Sequence, residues 1–401
     1  MRGGGPPALA AVDAGSPKHP GAPFRPALFR SFFLGGFECS AHVRPDGRRL
    51  DLIAATRHDL LAAEDYGLLA GHGLRAARDG VRWHLVEGGA PGRYDWRPVL
   101  PLLRAAEAAG VQVAWDLCHY GWPDGLDVGS AAFAERLAAY AGAFARLHVD
   151  ETGRPPLVCP VNEISYLAWA GGQVARMNPG TRGRGAALKR QLVRATLAAT
   201  HAVREAAPGA RVLAIDPLIR VVPARGGDPR RAAAHDGAQF EAWDMLAGRR
   251  APELGGGPDM LDVVGVNYYW NNQWTHGGRA LALADPRRRP LREMLAAVHA
   301  RYARPLFVAE TGIEGERRPA WLRHMAEDVR AAVLAGVPVE GICLYPVLDY
   351  PGWRDGRVRA CGLLGMHPRH GLRPVHAPLA AELRRQQGVF AALLGRPVGA
   401  G

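Results

Sequence analysis

Short apolar runs alternate with amphipathic stretches along the chain, starting near residue 32. The apolar runs suit buried strands, and the amphipathic stretches repeat their apolar residues every three or four positions, as helices with one buried face do. The pattern predicts eight strands, at 32–38, 80–84, 111–119, 157–163, 211–216, 261–269, 305–310 and 341–345. It predicts helices near 53–72, 97–110, 131–149, 186–206, 236–248, 291–302, 319–335 and 376–394.

Eight apolar strands that are each followed by a helix are typical of a closed parallel (β/α)8 barrel, the TIM barrel. An open doubly wound sheet is the competing architecture, and it normally carries a G-x-G-x-x-G turn after its first strand. The residues that follow Glu38, Cys39-Ser40-Ala41-His42, do not match that turn. We therefore expect one barrel domain over residues 31–401. A flexible tail is expected over residues 1–30, which are rich in glycine and proline.

The composition is compatible with one large core, since the chain has 401 residues and is 48% hydrophobic. No run of eighteen apolar residues occurs, and residues 1–30 lack the apolar middle of a secretory signal. We therefore expect no membrane partner and a cytoplasmic location. The 5 cysteines include no C-x-x-C pair, which favours reduced thiols over a disulfide framework or a zinc cluster.

The formal net charge of +12 comes almost wholly from arginine, and the arginines are scattered along the chain. Scatter of this kind argues against a nucleic-acid-binding surface. A positive potential would concentrate an acidic substrate such as a uronic acid. A solvated arginine-rich surface explains the same charge without any ligand, and both interpretations stay open.

Polar residues lie at the predicted C-terminal ends of the strands, where a barrel places its active site. These residues are Arg82, Asp116, His119, Asn162, Glu163, Asp216, Asn267, Tyr269, Glu310 and Tyr345. Each of them alone could cap a helix or complete an ion pair. A stack of apolar strands gains nothing from several carboxyls on one rim, however, so we interpret their convergence as functional.

Glu163 on the fourth strand and Glu310 on the seventh are expected to face each other across the barrel mouth. Hydrolysis of a glycoside needs such a pair, because one protonated carboxyl donates to the leaving oxygen while an ionised carboxyl attacks the anomeric carbon. Asn162 would place an amide near the sugar 2-hydroxyl, and Tyr269 would donate to Glu310. Arg82 is expected to lower the pKa of Glu310.

His119 is interpreted as a donor to a sugar hydroxyl, although a histidine at a strand end is also a common structural residue. Sugar rings stack their apolar faces on aromatic side chains. Candidates for that role in the predicted loops are Trp122, Trp169, Tyr268, Trp270, Trp274 and Trp353. Ordinary packing is the alternative for any one of them.

Taken together, these segments resemble the retaining glycosidases of the large barrel clan, most closely family 1, which is β-glucosidase-like, and more distantly the family 5 cellulases. The matching segments, in order, are Phe33-Leu34-Gly35-Gly36, Val81-Arg82-Trp83, His119-Tyr120-Gly121-Trp122-Pro123, Val161-Asn162-Glu163, Gly265-Val266-Asn267-Tyr268-Tyr269, Ala309-Glu310-Thr311-Gly312 and Leu348-Asp349. Each string is short, but their order and placement agree with that family.

The resemblance implies that Glu163 is the acid/base, that Glu310 is the nucleophile and that no metal or organic cofactor takes part. It implies a small carbohydrate or glycoside as the substrate. The substrate-binding residues it implies are Arg82, His119, Asn162, Tyr269, Tyr345 and Trp353.

Three departures from family 1 affect the residues that bind sugar hydroxyls. The family's glutamine in the first loop has no counterpart in Ala41-His42-Val43. Gly352 stands where the family has a glutamate before its last tryptophan, and Tyr345 replaces its strand-eight tryptophan. The identity of the sugar therefore stays open, including an acidic sugar.

Three other functions stay open beside hydrolysis. A metal-dependent barrel hydrolase would use Asp116, His119, Glu163 and Asp216 as ligands, but the chain has no H-x-H pair. A non-catalytic carbohydrate-binding barrel would keep the pocket without turnover. A transglycosidase would use the same residues and pass the sugar to an acceptor other than water.

Overall fold

The computed structural model describes residues 25–395. Its barrel strands are β1 (Phe33–Gly36), β2 (Ala76–Gly80), β3 (Gln112–Asp116), β4 (Leu157–Cys159), β5 (Arg211–Pro217), β6 (Val263–Asn267), β7 (Leu306–Thr311) and β8 (Val339–Leu344). Its α-helices are α1 (Leu52–Ala55), α2 (His58–Gly71), α3 (Trp83–Val86), α4 (Leu100–Ala108), α5 (Ala131–Thr152), α6 (Ile164–Leu167), α7 (Gly185–Ala206), α8 (Pro229–Gly237), α9 (Glu241–Leu246), α10 (Leu291–Tyr302), α11 (Arg318–Leu334) and α12 (Ala377–Leu394).

The eight strands form a closed barrel in which every neighbouring pair is parallel and the strands follow one another in chain order. β1 closes the barrel against β8, where Phe33 pairs with Ile342. The predicted (β/α)8 barrel is thereby confirmed. Two small strand pairs lie outside the barrel. Arg220–Val222 pairs with Gln273–Thr275 in parallel, and Tyr350–Pro351 pairs with Val358–Arg359 in the antiparallel direction. Within residues 25–395, no helix is both long and apolar enough to cross a membrane.

Alternation along the strands produces two apolar cores. One side of each strand faces the barrel interior, where Leu34, Ala114, Leu213 and Phe307 belong to one buried cluster. The opposite side packs against the helices, and its residues join a larger cluster that runs around the barrel. The interior cluster fills the lower part of the barrel, so that polar side chains collect at its C-terminal mouth.

Two predicted helices are interrupted. The prediction at 53–72 corresponds to α1 and α2, which are separated at Arg57, a residue with a left-handed φ of 61°. The prediction at 236–248 corresponds to the end of α8, a 3-10 turn and α9. The other long helices match their predicted ranges closely.

The predicted position of the second strand was wrong. The pattern placed it at 80–84, but β2 covers Ala76–Gly80, and the residues from Trp83 begin the short helix α3. The sequence of β2, Ala-Ala-Arg-Asp-Gly, is not an apolar run, yet all five of its residues are buried. Two of these side chains are charged and are buried with partners. Arg78 pairs with Asp116 and Glu310 inside the barrel, and Asp79 pairs with His58 outside it.

The structure describes residues 25–30 of the segment in which a flexible tail is expected. Residues 1–24 lie outside the described part of the chain, but Phe29 is buried and its ring lies 5.0 Å from that of Phe307 in the barrel interior. The backbone N–H groups of Ala27 and Leu28 both donate to the Glu340 carboxylate. Residues 27–29 therefore pack against the N-terminal end of the barrel.

A shift of register in β7 orients Glu310 toward the mouth. β6 pairs Val266 with Val308 and then Asn267 with Glu310, so β7 carries one extra residue at this point. An extra residue of this kind interrupts the alternation of side chains and redirects the next one. Glu310 consequently lies beside Asn267, although Phe307 and Ala309 already face the interior.

A buried polar network ties β2 to the surrounding helices. His58 Nδ1 lies 2.7 Å from Asp65 Oδ2, and His58 Nε2 lies 3.0 Å from Asp79 Oδ2. Tyr66 donates to the same Asp79 oxygen, and Arg373 pairs with Asp65. Burial by itself would lower the pKa of His58, but the charge of Asp79 and the hydrogen bonds with the two aspartates raise it to about 9.

The His58 network predicts a specific pH dependence of stability. The folded-state pKa of His58 lies above its ordinary value of 6.5, so its contribution to stability is complete below about pH 6.5 and is lost as the pH rises through about 9. We expect His58→Gln to lower the free energy of unfolding by about 3 to 5 kcal/mol at pH 6, as for other broken buried ion pairs. The difference from the unmodified protein should shrink at pH 10.

Urea denaturation at the two pH values measures this difference directly. His201→Gln on α7 is a suitable control, because it makes the same substitution at an exposed histidine. An equal loss of stability at both pH values in His58→Gln would show that His58 contributes packing rather than charge.

Candidate active site

Arg78 is the centre of the polar cluster at the barrel mouth. Its side chain is fully buried, and Nη1 donates to Glu310 Oε1 at 3.0 Å while Nη2 donates to Asp116 Oδ2 at 2.6 Å. Nη2 also lies 3.2 Å from Asn162 Oδ1. Burial alone would lower the pKa of Arg78, but Asp116 and Glu310 raise it, so the guanidinium stays charged.

Glu310 is held by donors on both of its oxygens. Tyr269 Oη donates to Oε2 at 2.8 Å, which is the contact expected from the sequence. Arg78 donates to Oε1, and Asn162 Nδ2 lies 3.5 Å from the same oxygen. One oxygen of the Glu310 carboxyl therefore bonds to a cation and the other to a phenol.

Glu163 has neutral hydrogen-bond donors and no cation bonded to it among the described residues. Asn267 Nδ2 donates to Oε1 at 3.0 Å, and Tyr120 Oη makes a short hydrogen bond to Oε2. Glu163 lies four residues after β4, directly before α6, with a left-handed φ of 47°, and its N–H donates to the Ile215 carbonyl. This backbone turn presents the carboxyl to the mouth before α6 begins.

Burial, the neighbouring charge and the hydrogen bonds of Glu163 have opposing effects on its pKa. Burial raises the pKa of the Glu163 carboxyl to about 8, and the negative charge of Glu310 adds to the increase. The hydrogen bonds from Tyr120 and Asn267 oppose it only in part. The raised pKa of Glu163 favours its protonated form at neutral pH, beside Glu310, which bonds to the Arg78 cation.

His119 connects the carboxylates of the cluster. Nδ1 lies 2.9 Å from Asp116 Oδ2, and Nε2 lies 3.1 Å from Asn162 Nδ2. Burial by itself lowers the pKa of His119, but the hydrogen bond and charge of Asp116 outweigh burial and raise it. The Tyr345 ring lies parallel to the imidazole, with centroids 6.2 Å apart, and the Arg78 guanidinium lies 5.2 Å from the Tyr345 centroid.

The predicted contact between Arg82 and Glu310 was wrong. Arg82 Nη1 bonds to Asp51 at 3.2 Å and to Asp59 at 3.0 Å, outside the cluster. The cause is the position of β2, since its inward-facing arginine is Arg78 and not Arg82. A sequence signal existed, because Arg78 alternates with Ala76 in a strand register, but the charged Arg78-Asp79 pair obscured it.

The predicted aromatic residues divide into mouth and core positions. Trp353 lies near the cluster, with its ring 4.7 Å from His42 and 5.8 Å from Tyr120. Trp169 and Trp270 are each 41% exposed and so are available to a ligand. The remaining candidates are packed elsewhere: Trp122 and Tyr268 are buried in the outer core and Trp274 lies in a small outer sheet.

Two residues near the pair were missed as site candidates. Tyr120 lies inside the His119–Pro123 segment, and its positive φ of 65° turns the phenol toward Glu163. Glu38, two residues after β1, places a third buried glutamate at the mouth. Its Oε1 lies 4.0 Å from His119 Nε2. An exposed loop acid and a buried one look alike in sequence, so only the fold reveals Glu38.

The metal-binding alternative fits these contacts poorly. Asp216 bonds to Ser165 and so is held away from Asp116 and His119. A different trio, Cys39, Asp116 and His119, brings its potential ligand atoms within 4.8 Å of one another. The Arg78 cation already bonds to the same Asp116 oxygen, and burial raises the pKa of the Cys39 thiol well above its ordinary value. Both effects oppose a divalent cation there.

The coupling between the two glutamates can be measured without any substrate. We expect Glu310→Gln to lower the pKa of Glu163 from about 8, because the substitution removes a nearby negative charge and keeps the shape. A carbon-13 NMR titration of labelled side-chain carboxyls measures this shift. Asp216 is the internal control, since its raised pKa of about 6 has burial as its first cause and Glu310 is not among its causes. An unchanged Glu163 titration would contradict the coupling.

The chain has a partial sequence match to a known protein. No protein-family model matches the chain. A stretch of 129 residues is 30% identical to the galactolipid galactosyltransferase SFR2, chloroplastic, of Arabidopsis thaliana, covering 28% of this chain and 21% of that protein. The chain thus matches about a fifth of the length of that relative.

The structural matches are far more extensive. The β-glucosidase from Thermotoga maritima in complex with glucoimidazole superposes with a TM-score of 0.72 at 15% identity, over 91% of this chain and 99% of that chain. The same enzyme in complex with deoxynojirimycin gives a TM-score of 0.71 at 16% identity, over 90% and 99%. The resemblance predicted from the sequence is confirmed at the level of the fold: this chain is a (β/α)8 barrel with the architecture of the family 1 β-glucosidases.

Proposed function

We propose that this protein is a retaining glycoside hydrolase that acts on a β-linked glycoside. The observation that carries the proposal is the unequal pair of carboxyls at the mouth. Glu163 has a pKa raised to about 8, and Glu310 is bonded to the Arg78 cation and the Tyr269 phenol. A protonated acid beside an ionised carboxylate is what the double-displacement mechanism requires.

In the first step, a Glu310 carboxylate oxygen attacks the anomeric carbon and forms a glycosyl ester. The bond from that carbon to the leaving oxygen breaks, and Glu163 gives its proton to this oxygen. Asn162 lies between Arg78 and Glu310, where its amide would reach the sugar 2-hydroxyl as charge develops on the ring. Formation of the ester neutralises Glu310, so the charge that adds to the effect of burial on the pKa of Glu163 is lost.

In the second step, the ionised Glu163 removes a proton from water. The water oxygen attacks the anomeric carbon, the ester bond to Glu310 breaks, and Glu163 is again protonated. Two inversions give net retention of configuration. The drop in the pKa of Glu163 between the steps suits its change from acid to base.

The two glutamates should respond differently to substitution. We expect Glu310→Ala to lower kcat by at least about 10⁴-fold on all substrates, because no nucleophile remains. Glu163→Ala should slow aryl glycosides with poor leaving groups about 10²- to 10⁴-fold and those with good leaving groups far less, since only the former need a proton. Initial rates on a series of substituted phenyl β-glycosides measure both effects.

Proton NMR of the first product formed would identify its anomeric configuration. A β-anomer supports retention, and an α-anomer would overturn the double-displacement mechanism. Turnover at the normal rate in Glu310→Ala would remove Glu310 from the nucleophile role. The substrate panel should extend beyond glucosides and galactosides, because the residues that bind sugar hydroxyls depart from those of family 1.

Arg78 and Arg82 offer a matched comparison of a site arginine with a peripheral one. We expect Arg78→Lys to lower kcat/KM by about 10²-fold or more, because an ammonium cannot reproduce the separate N–H groups that bond to Glu310 and Asp116. Arg82→Lys should stay within about fivefold of the unmodified enzyme. Circular dichroism of both variants checks that they fold. Equal losses in the two variants would contradict the assignment of Arg78.

Transglycosylation is a second candidate, favoured by the partial match to a galactosyltransferase. The same two glutamates would form the same intermediate, and an acceptor hydroxyl would replace water in the second step. The exposed Trp169 and Trp270 rings would offer an acceptor a stacking surface. Product analysis with added alcohols or sugars distinguishes transfer from hydrolysis.

A non-catalytic carbohydrate-binding barrel is disfavoured by the intact carboxyl pair, and turnover of any glycoside would exclude it. A small carbohydrate is the proposed partner, and the Thermotoga maritima β-glucosidase complexes contain glucoimidazole and deoxynojirimycin. The cytoplasmic location stays a prediction from the sequence.

A further inference from the structure

Glu38 is a buried carboxyl that the proposed mechanism does not use. It follows β1 at the barrel mouth and is only 7% exposed. The Ser40 N–H and Ser40 hydroxyl both donate to Oε1, at 3.0 and 2.5 Å. Among residues 25–395, no side chain or backbone group donates a hydrogen bond to Oε2. One oxygen is thus fixed by the protein, and the other is left for a ligand.

The neighbours of Glu38 place it in the same cavity mouth as the catalytic pair. His119 Nε2 lies 4.0 Å from Glu38 Oε1 and 3.1 Å from Asn162 Nδ2, which in turn lies 3.5 Å from Glu310 Oε1. The charge of Glu310 also contributes to the raised pKa of Glu38, after burial as the main cause. A sugar bound at Glu310 would therefore extend toward Glu38.

The position before Trp353, where family 1 carries a glutamate, has no carboxyl in this chain. Gly352 has no side chain, and a Cβ added there would lie 2.6 Å from Arg359 Nε and 2.8 Å from Asp355 Oδ1. The ion pair between Arg359 and Asp355 fills that space. Glu38 instead supplies a carboxyl from the loop that follows β1.

The local charge at the mouth differs from that of the whole chain. The Arg78 guanidinium is already bonded to Asp116 and Glu310, and His119 is bonded to Asp116. A further carboxylate from a uronic acid would meet Glu38 as well as Glu310, and like charges in a buried site repel strongly. Hydroxyl groups, in contrast, donate well to a carboxylate oxygen.

We propose that Glu38 is a specificity-determining residue that accepts hydrogen bonds from the hydroxyls of a neutral glycone and selects against uronic acids. This inference rests on the proposed glycosidase function, and it decides against the acidic substrate that the net charge of +12 had left open. The positive charge lies on scattered surface arginines, whereas the sugar meets the buried carboxyls.

The test compares p-nitrophenyl β-D-glucoside with p-nitrophenyl β-D-glucuronide at pH 7, since the two differ only in the group at C6. The β-D-galactoside, β-D-mannoside and β-D-xyloside complete the neutral set. We expect kcat/KM for the best neutral glycoside to exceed that for the glucuronide by about 100-fold or more. Glu38→Gln should lower kcat/KM for the neutral glycoside about 10- to 100-fold, as expected for the loss of hydrogen bonds to a charged group. It should also reduce the ratio of kcat/KM for the neutral glycoside to that for the glucuronide at least about tenfold.

Glu340→Gln is the matched control. Glu340 is 6% exposed and accepts two backbone hydrogen bonds, but it lies at the opposite end of the barrel, so its substitution should leave the ratio unchanged. Ser40→Ala is the second variant, because it removes one donor from Glu38 while keeping the carboxyl. We expect it to lower kcat/KM on neutral glycosides by about three- to tenfold without changing the preference for neutral sugars.

The outcomes separate this inference from the proposed function. A preference of the unmodified enzyme for the glucuronide, or a ratio unchanged within twofold in Glu38→Gln, overturns the role of Glu38 while hydrolysis stands. If no glycoside is hydrolysed, calorimetric binding of the same two glycosides to the unmodified protein and Glu38→Gln decides the role of Glu38. If the unmodified protein binds the glucoside more tightly than the glucuronide and this preference weakens in Glu38→Gln, the role of Glu38 is supported although the glycosidase proposal has failed. Equal binding of the two glycosides overturns the role of Glu38.

Discussion

The buried guanidinium of Arg78 is the interaction on which the barrel mouth depends. Several buried carboxyls are gathered there, and buried charges are costly unless they are paired. Arg78 bonds to Asp116 and Glu310, and its Nη1 also donates to the Ala309 carbonyl, so a residue of β2 reaches across the barrel to β7. One planar cation with several donors thus balances charge and positions Glu310 together.

Asp79, the residue after Arg78 in β2, joins this strand to the polar network outside the barrel. Arg78 faces the interior, and Asp79 faces the helices, where it bonds to His58 and Tyr66. Because side chains alternate along a strand, a slip of one residue would exchange the two charges and leave both without partners. The site and the outer polar network therefore specify the register of β2 jointly. This explains how a strand with adjacent charged residues is fully buried.

The different roles proposed for the three glutamates follow from their partners. Glu310 bonds to a cation, Glu163 bonds to neutral donors beside a negative charge, and Glu38 has one oxygen fixed by Ser40. In our proposal these become a nucleophile, a proton donor and an acceptor for sugar hydroxyls. The same chemical group serves three purposes because burial, charge and hydrogen bonding differ over a few ångströms.

The sequence by itself determined the number and order of the barrel elements, and it placed Glu163 and Glu310 at the barrel mouth, since apolar periodicity and strand-end motifs are local properties. The position of β2, the exchange of Arg82 for Arg78 and the burial of Glu38 were decided only by the tertiary structure. A charged strand has no apolar periodicity, and its burial is favourable only when partners from distant segments are present. Arg78 lies 232 residues from Glu310 along the chain, and closure of the barrel brings them within hydrogen-bond distance.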